Sequence, residues 1–422
     1  MKLVFHNPHV DIHFGETLLT FLTRSRSFKK EKYLISYILK NKKDYLFYVD
    51  GFDSSLPSYI ARFFPKKLEI YLWALINKIP LRDLRVTFDI ADIQKDDVFF
   101  SFSLRNLDQK DARLGYLRDA EFLKVFHLTH FTSHTSVIAS NVEKLKVDFL
   151  VAENNLSKNS KFFQHYFPSF RKGTYVLPFV YQERFKKTKD FSDRENLCLA
   201  TGTIIKITEF SSGSSVFNDF LSFYKTDVVH PLREAIFQNR KQLEGVIDSY
   251  IANFWETKRK SWSEKDGFFK KWKSRIHNAL FATKREYMKF DIVQKYNDYK
   301  MFVVPEEIND LPGIGFVEGM ACGAAYIGRD DPMYRDLGLI PGKHYITHNG
   351  SLEDLKKKIQ YYQAHNDELG IIAKNGYNFI REKFSTENVA STFYKDLETL
   401  SRRYKENQYK REGLDFQSSF VR

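Results

Sequence analysis

Residues 303–328 read VVPEEINDLPGIGFVEGMACGAAYIG, and the punctuation of this stretch decides the fold class. Val303 and Val304 follow Tyr299, Met301 and Phe302, an apolar approach that reads as the end of a buried strand. A polar loop carrying Gly and Pro runs from Pro305 to Gly313. Phe316 to Cys322 then fits a short helix, with Gly323 placed to stop it in the left-handed conformation. Ala324 to Ile327 is small and apolar, as a second strand would be. Strand, Gly-bearing loop, helix and strand make a βαβ unit, and such units hold ligands at the carboxyl ends of their strands. Gly313 and Gly315 would let backbone N–H groups approach an anion at a helix start. Asp310 and Glu318 flank the turn eight positions apart, two carboxylates able to grip hydroxyls. On these residues alone, an anion-and-polyol site and a plain loop with a surface Asp and a helix-start Glu are both open.

The same residues resemble the signature of GT-B glycosyltransferases, in particular the retaining "group 1" class, family 4. That signature is E-G-F-G-x-x-x-x-E-A-M-A-C-G. Asp310, Gly313, Glu318, Gly319, Met320, Ala321, Cys322 and Gly323 keep its frame. The departures are Asp310 for the first Glu and Gly319 for the usual Ala. The resemblance implies that Glu318 binds the ribose of a nucleotide and Asp310 the donor sugar, with Glu306 or Glu307 as the alternative sugar contact.

Composition bounds the rest. The chain has 422 residues, 43% hydrophobic and 28% charged, with 40 Phe and 24 Tyr, enough for two or three domains with sizeable cores. No run approaches the roughly 20 apolar residues of a membrane span, and MKLVFHNPHV lacks a signal-peptide core, so a cytoplasmic protein is expected. Cys198 and Cys322 lie in apolar segments outside any metal-ligand spacing and read as buried thiols. The net charge of +13 suggests a polyanionic neighbour or a Lys-rich solvated surface. The usual nucleic-acid signatures are absent, so no nucleic-acid partner is expected.

Along the chain, Lys2–Phe5, Tyr45–Val49, Asp97–Phe102, Phe122–Phe131, Val147–Ala152 and Thr174–Leu177 read as strands, and Thr17 to Arg24 as a helix. Gly15 and Glu16 lie in the loop after the first strand. His127, His130 and His134 invite a metal reading, but His127 and His130 fall on opposite faces of a strand and no Cys or acid completes a site. By resemblance His130 is the histidine that faces the donor, with His127 as the alternative. Pro178, Phe179, Val180, Arg184 and Phe185 resemble the family's interdomain linker, and charge rises after them, which places a boundary near 188–194.

The second half opens with a strand at Asn196–Thr201 and Gly202. By resemblance, Lys206 at its spacing after Gly202 meets the donor diphosphate, and Arg233 is placed to reach a phosphate. Ala235 to Phe254 carries apolar residues at helical spacing. Residues 255–290 hold eleven Lys or Arg against four Asp or Glu, and three of the four tryptophans. That mix suits either an interfacial segment on anionic lipid or a helical insertion packed on its domain. The final helices resemble the family's C-terminal order, and residues 401–422 read as a tail, frayed at Gln417–Ser419.

The expectation is therefore an α/β protein of GT-B fold, two Rossmann-like domains facing a cleft, with a helical basic insertion in the second. The domains are residues 1–188 and 189–400, the insertion 209–290. The resemblance implies a retaining transferase moving sugar from a nucleotide-sugar to a glycan or lipid-linked glycan in bacterial surface polysaccharide assembly, without metal or other cofactor. The alternatives are a transferase of a CMP-activated acidic sugar and a non-catalytic GT-B-like binding protein.

Overall fold

The computed structural model describes residues 1–6, 32–41, 43–49, 70–75, 78–101, 107, 115–128, 131–170, 173–209, 214–253, 270, 272–273 and 290–420. The chain forms two compact units. The first holds residues 1–158, 163–177 and 389–419, the second residues 159–162, 178–388 and 420–422.

Strands β1 (Leu3–His6), β2 (Tyr45–Tyr48), β3 (Val86–Thr87), β4 (Val98–Ser101), β5 (Leu123–His127), β6 (Phe149–Ala152) and β7 (Thr174–Val176) build the first sheet. Its order is β3-β2-β1-β4-β5-β6-β7, and every pairing is parallel. LVFH, VFFS, LKVFH and FLVA are buried at every position, as strands covered on both faces must be. Among these, Lys124 is buried, and its Nζ donates to the carbonyls of Leu117 and Leu145 at 3.0 and 2.9 Å. The expected strand over Phe122–Phe131 ends at His127, and a turn takes the chain to His134, which enters the next helix at φ +53°.

Strands β8 (Glu195–Ile204), β9 (Ile247–Asn253), β10 (Tyr299–Val303), β11 (Ala325–Arg329) and β12 (Ile346–His348) form the second sheet, ordered β12-β11-β10-β8-β9 and parallel throughout. Its helices are α1 (Asn218–Tyr224), α2 (Pro231–Gln238), α3 (Ile292–Asp298), α4 (Gly315–Ala321), α5 (Pro332–Asp336), α6 (Leu352–Ala364) and α7 (Asn366–Lys383). Local chemistry starts several of them. Pro231 and Pro332 stand in the first helical turn, Asp291 accepts from Val293 and Gln294 N–H, and Ser351 accepts from Asp354 N–H, satisfying donors that the helix leaves unpaired. Gly323 takes φ +82° after α4, as its place in the motif predicts.

Two expectations are corrected. The helix over Ala235–Phe254 stops at Gln238, and Ile247–Asn253 is the edge strand β9. Apolar residues three and four apart suit a helix face, but Gly245 at φ +78° breaks the segment. Ile247 and Ile251 then enter the core shared with Ile236, Leu243 and Cys198. The segment 209–290 is thus not wholly a helical insertion. Most of its basic part lies outside the described residues, and Trp272 is exposed.

The C-terminal end is docked rather than frayed. Helix α8 (Thr386–Glu406) runs on past residue 400, Leu414 and Phe416 are buried, and Phe416 stacks on Tyr175 with centroids 4.2 Å apart. Ser418 Oγ donates to the Val176 carbonyl at 2.6 Å, and Ser419 Oγ to Asp396 at 2.6 Å. Apolar and polar contacts together hold the tail, Arg411 adding bonds to the carbonyls of Ala120, Glu121 and Phe122. Among the described residues no helix is long and apolar enough to cross a membrane.

Candidate functional site

In the second sheet the strand order reverses direction of growth between β8 and β10, and crevices form at such switch points beyond the carboxyl ends of the strands. Gly202, Arg233 and the loop 305–313 meet there. Gly202, near the end of β8, has φ +138°. A Cβ on it would lie 2.8 Å from Arg233 Nε and 3.0 Å from Cζ, so only glycine lets this guanidinium pass. Arg233, on α2, donates from Nε to the Pro305 carbonyl at 3.0 Å and from Nη1 to the Thr203 carbonyl at 3.2 Å. It ties the turn after β8 to the loop after β10, with Nη2 3.7 Å from where a Gly313 Cβ would be. Lys206 is engaged differently: its Nζ pairs with Glu234 Oε1 at 2.8 Å, so its charge is largely answered within the protein.

Gly313 and Gly315 have a packing reason. A Cβ on Gly313 would stand 2.9 Å from Val304 Cγ1, and one on Gly315 2.7 Å from Tyr296 Oη and 2.8 Å from Val304 Cγ2. They let the loop and the first turn of α4 close onto the end of β10, which the sequence had suggested only as an approach to a ligand. Glu318 follows on α4 and is half-buried.

The acids of the loop separate by environment. Glu306 is buried, and its Oε1 accepts from Tyr334 Oη at 2.7 Å, Arg329 N–H at 3.0 Å and Tyr326 Oη at 3.1 Å. This carboxyl anchors the loop to β11 and α5 through Oε1. Glu307 Oε1 lies 3.9 Å from His230 Nε2. Asp310 differs from both. It sits at φ +64° in a tight turn closed by Asp310 N–H on the Glu307 carbonyl at 3.3 Å, and its carboxyl is half-buried. Burial, and then the negative charge of Asp331, push its pKa up to about 6, while Arg329, a hydrogen bond from Ser160 and the charge of Lys161 act the other way. Burial likewise holds the Tyr224 phenol protonated, with Asp310 adding to the effect.

Sequence reasoning did not find Arg329, Asp331, Tyr224 or Ser160. Only Arg329 and Asp331 left a trace, a charged Arg-Asp-Asp run directly after a strand. In the first unit, His127 ends β5 with its Nε2 3.9 Å from Glu153 Oε1. His130 lies outside the described residues, as do Gly15, Glu16 and the helix expected at Thr17–Arg24.

With the geometry in hand, comparison gives the class. Residues 234–395 match the family model described as glycosyl transferase-like. HepE of Anabaena, crystallised with UDP and glucose, is 13% identical, with 95% of this chain and 100% of that one covered and a TM-score of 0.52. The same protein crystallised with UDP-glucose gives 12% identity, the same coverage and a TM-score of 0.50. Sucrose-phosphate synthase of Thermosynechococcus elongatus follows at 10% identity, 96% and 99% coverage and 0.48. No curated protein matches the chain by sequence. The fold is that of GT-B glycosyltransferases, α/β with two parallel sheets, and the glycosyl transferase-like stretch contains the loop of Asp310 and Glu318.

Proposed function

We propose that this protein transfers a sugar from a nucleotide-sugar donor to a hydroxyl of a glycan or lipid-linked glycan, with retention of configuration, as in bacterial surface polysaccharide assembly. The observation that carries the reading is the meeting of Arg233 with the Gly202 turn and the 305–313 loop at the switch point of the second sheet. A fixed guanidinium at that place suits the negative charge of a departing diphosphate. Glu318 would hold the ribose and Asp310 the sugar hydroxyls. Lys206, already paired, would contribute less than Arg233. His130 is assigned to the sugar by the resemblance alone, as are retention and the absence of a metal requirement. HepE was crystallised with UDP, glucose and UDP-glucose, which makes UDP the first nucleotide to try. An acceptor carried on lipid would give the basic, aromatic segment 255–290 an anionic surface to rest on.

The test is thermal unfolding of the purified protein with UDP, GDP, ADP, TDP and CMP, with Glu318→Ala as control. A ligand at a hundred times its dissociation constant adds about 2.7 kcal/mol. One nucleoside diphosphate that stabilises the wild type but not the variant supports the reading. Stabilisation by CMP alone would move it to a CMP-activated acidic sugar. No response to any of the five would overturn the transferase reading in favour of a binding scaffold.

A further inference from the structure

Two consecutive residues of α2 hold the segment after β8, and they hold it differently. Arg233 donates to the Thr203 carbonyl at 3.2 Å, while Glu234 Oε1 lies 2.8 Å from Lys206 Nζ. Both members of the second pair start from fixed backbone. Lys206 forms an antiparallel bridge with Val228, flanked by Ile207 N–H on the Asp227 carbonyl at 2.8 Å and Val229 N–H on the Ile205 carbonyl at 3.3 Å. Glu234 stands in the first turn of α2, its N–H on the His230 carbonyl at 3.2 Å. The ion pair is not sealed in the core: the Lys206 side chain is 33% exposed and that of Glu234 19%, so a solute can reach it. A carbonyl holds a cation without cancelling its charge, whereas a carboxylate does both. Lys206 thus meets an acid of its own chain, beside the guanidinium proposed to face the diphosphate.

We propose that Glu234 is a built-in competitor for the diphosphate of the donor: its carboxylate occupies Lys206, and the ligand takes the ammonium from it on binding. A lysine ammonium is a compact charge with three donors on a flexible four-carbon stem, so it exchanges one oxygen partner for another without moving the backbone. The exchange favours an anion richer in charge than a single carboxylate, which a diphosphate is and a free sugar is not. What the ligand gains from Lys206 is the remainder after the pair with Glu234 is broken. Glu234 therefore lowers affinity for the nucleoside diphosphate and, by retaking Lys206, speeds its departure, a step that limits turnover in many enzymes. The role as competitor rests on the nucleotide-sugar reading; the hold of Glu234 on Lys206 does not.

The experiment has two arms. In the first, the ligand-free protein is acetylated with a limiting N-hydroxysuccinimide ester, and labelling of Lys206 is followed by mass spectrometry in wild type and Glu234→Gln. The amide keeps the shape of the side chain and removes its charge, so Lys206 should react severalfold faster in the variant. An unchanged rate overturns the proposal. In the second arm, calorimetry gives dissociation constants for UDP and for inorganic pyrophosphate, which carries the diphosphate without a base. The proteins are wild type, Glu234→Gln, Lys206→Met and the double variant. Glu234→Gln should tighten both ligands by roughly threefold to tenfold. Lys206→Met should cost more affinity in the Glu234→Gln background than in the native one, because only there does the ligand receive the ammonium without breaking a pair. Weaker or unaltered binding in Glu234→Gln, or equal costs of Lys206→Met in the two backgrounds, overturns the competitor role. Binding of neither ligand by any of the four proteins removes the nucleotide-sugar reading itself, and the competitor role with it.

Discussion

Gly319→Ala tests why this chain has glycine where the resembling signature has alanine. Gly319 is buried on α4, and a Cβ there would stand 2.4, 2.5 and 2.8 Å from Cζ, Cε2 and Cε1 of Phe302. Carbon atoms in contact prefer about 3.5–4.0 Å, so the ring would have to retreat by roughly an ångström. It has nowhere to go: Phe302 is fully buried, with Tyr296 at 5.1 Å and Tyr326 at 5.2 Å between centroids. Overpacking of this kind costs about 1–3 kcal/mol, while glycine to alanine within a helix returns about 1 kcal/mol. The net expectation is a loss of up to about 2 kcal/mol, read by urea unfolding. Leucine ends short of the three ring atoms concerned. In a Phe302→Leu background the clash is gone and only the helix term remains, so Gly319→Ala should there stabilise by about 0.5–1 kcal/mol. The sign reversal is the test. Equal effects in the two backgrounds would refute the claim that Phe302 sets the residue at position 319.

One further substitution probes each unit. Gly202→Ala forces a side chain onto φ +138° and into the Arg233 guanidinium; it should cost about 1–3 kcal/mol in backbone strain alone and abolish any stabilisation by UDP in thermal unfolding. In the first unit, Lys124 is buried with its amine on two carbonyls, and burial brings its pKa down to about 8. Because the unfolded chain then binds the extra proton between about pH 8 and 10.5, wild-type stability should rise with pH across that window. Lys124→Met should lack the rise and lose about 1–3 kcal/mol at neutral pH by taking the amine from the Leu145 carbonyl, while the Leu117 carbonyl keeps its bond from Ala120 N–H, measured by denaturant unfolding at a series of pH values.

What could be read in advance follows the range of the forces involved. All-apolar runs such as FLVA and MFVV announced buried strands, and MACG announced a helix with its stop, because periodicity and a glycine in the left-handed region act within a few residues. With strands and helices alternating, the handedness of βαβ connections leaves few topologies; the GT-B architecture itself was what the resemblance of residues 310–323 to that class implied. Gly202, Arg233, Asp310 and Glu318 were singled out from local pattern together with the resemblance, and of these the fold brings Gly202 and Arg233 into contact at the second unit's switch point.

The remaining features depended on partners distant in sequence. Ile247–Asn253 became a strand because β8 was there to pair with it, although its apolar spacing suited a helix equally. Glu306, indistinguishable from Glu307 on paper, is an anchor because Tyr326, Arg329 and Tyr334 close on it. Lys206 met Glu234, and Phe416 of the tail met Tyr175 and Phe149. Asp310 acquired its raised pKa from burial and from Asp331 rather than from its own neighbours in the motif. Sequence by itself determined most of the strands and helices, Ile247–Asn253 excepted, and where backbone freedom was needed. Tertiary structure decided which charges are neutralised and which carboxyl stays available, since desolvation and Coulomb energy depend on distances that only the folded chain sets.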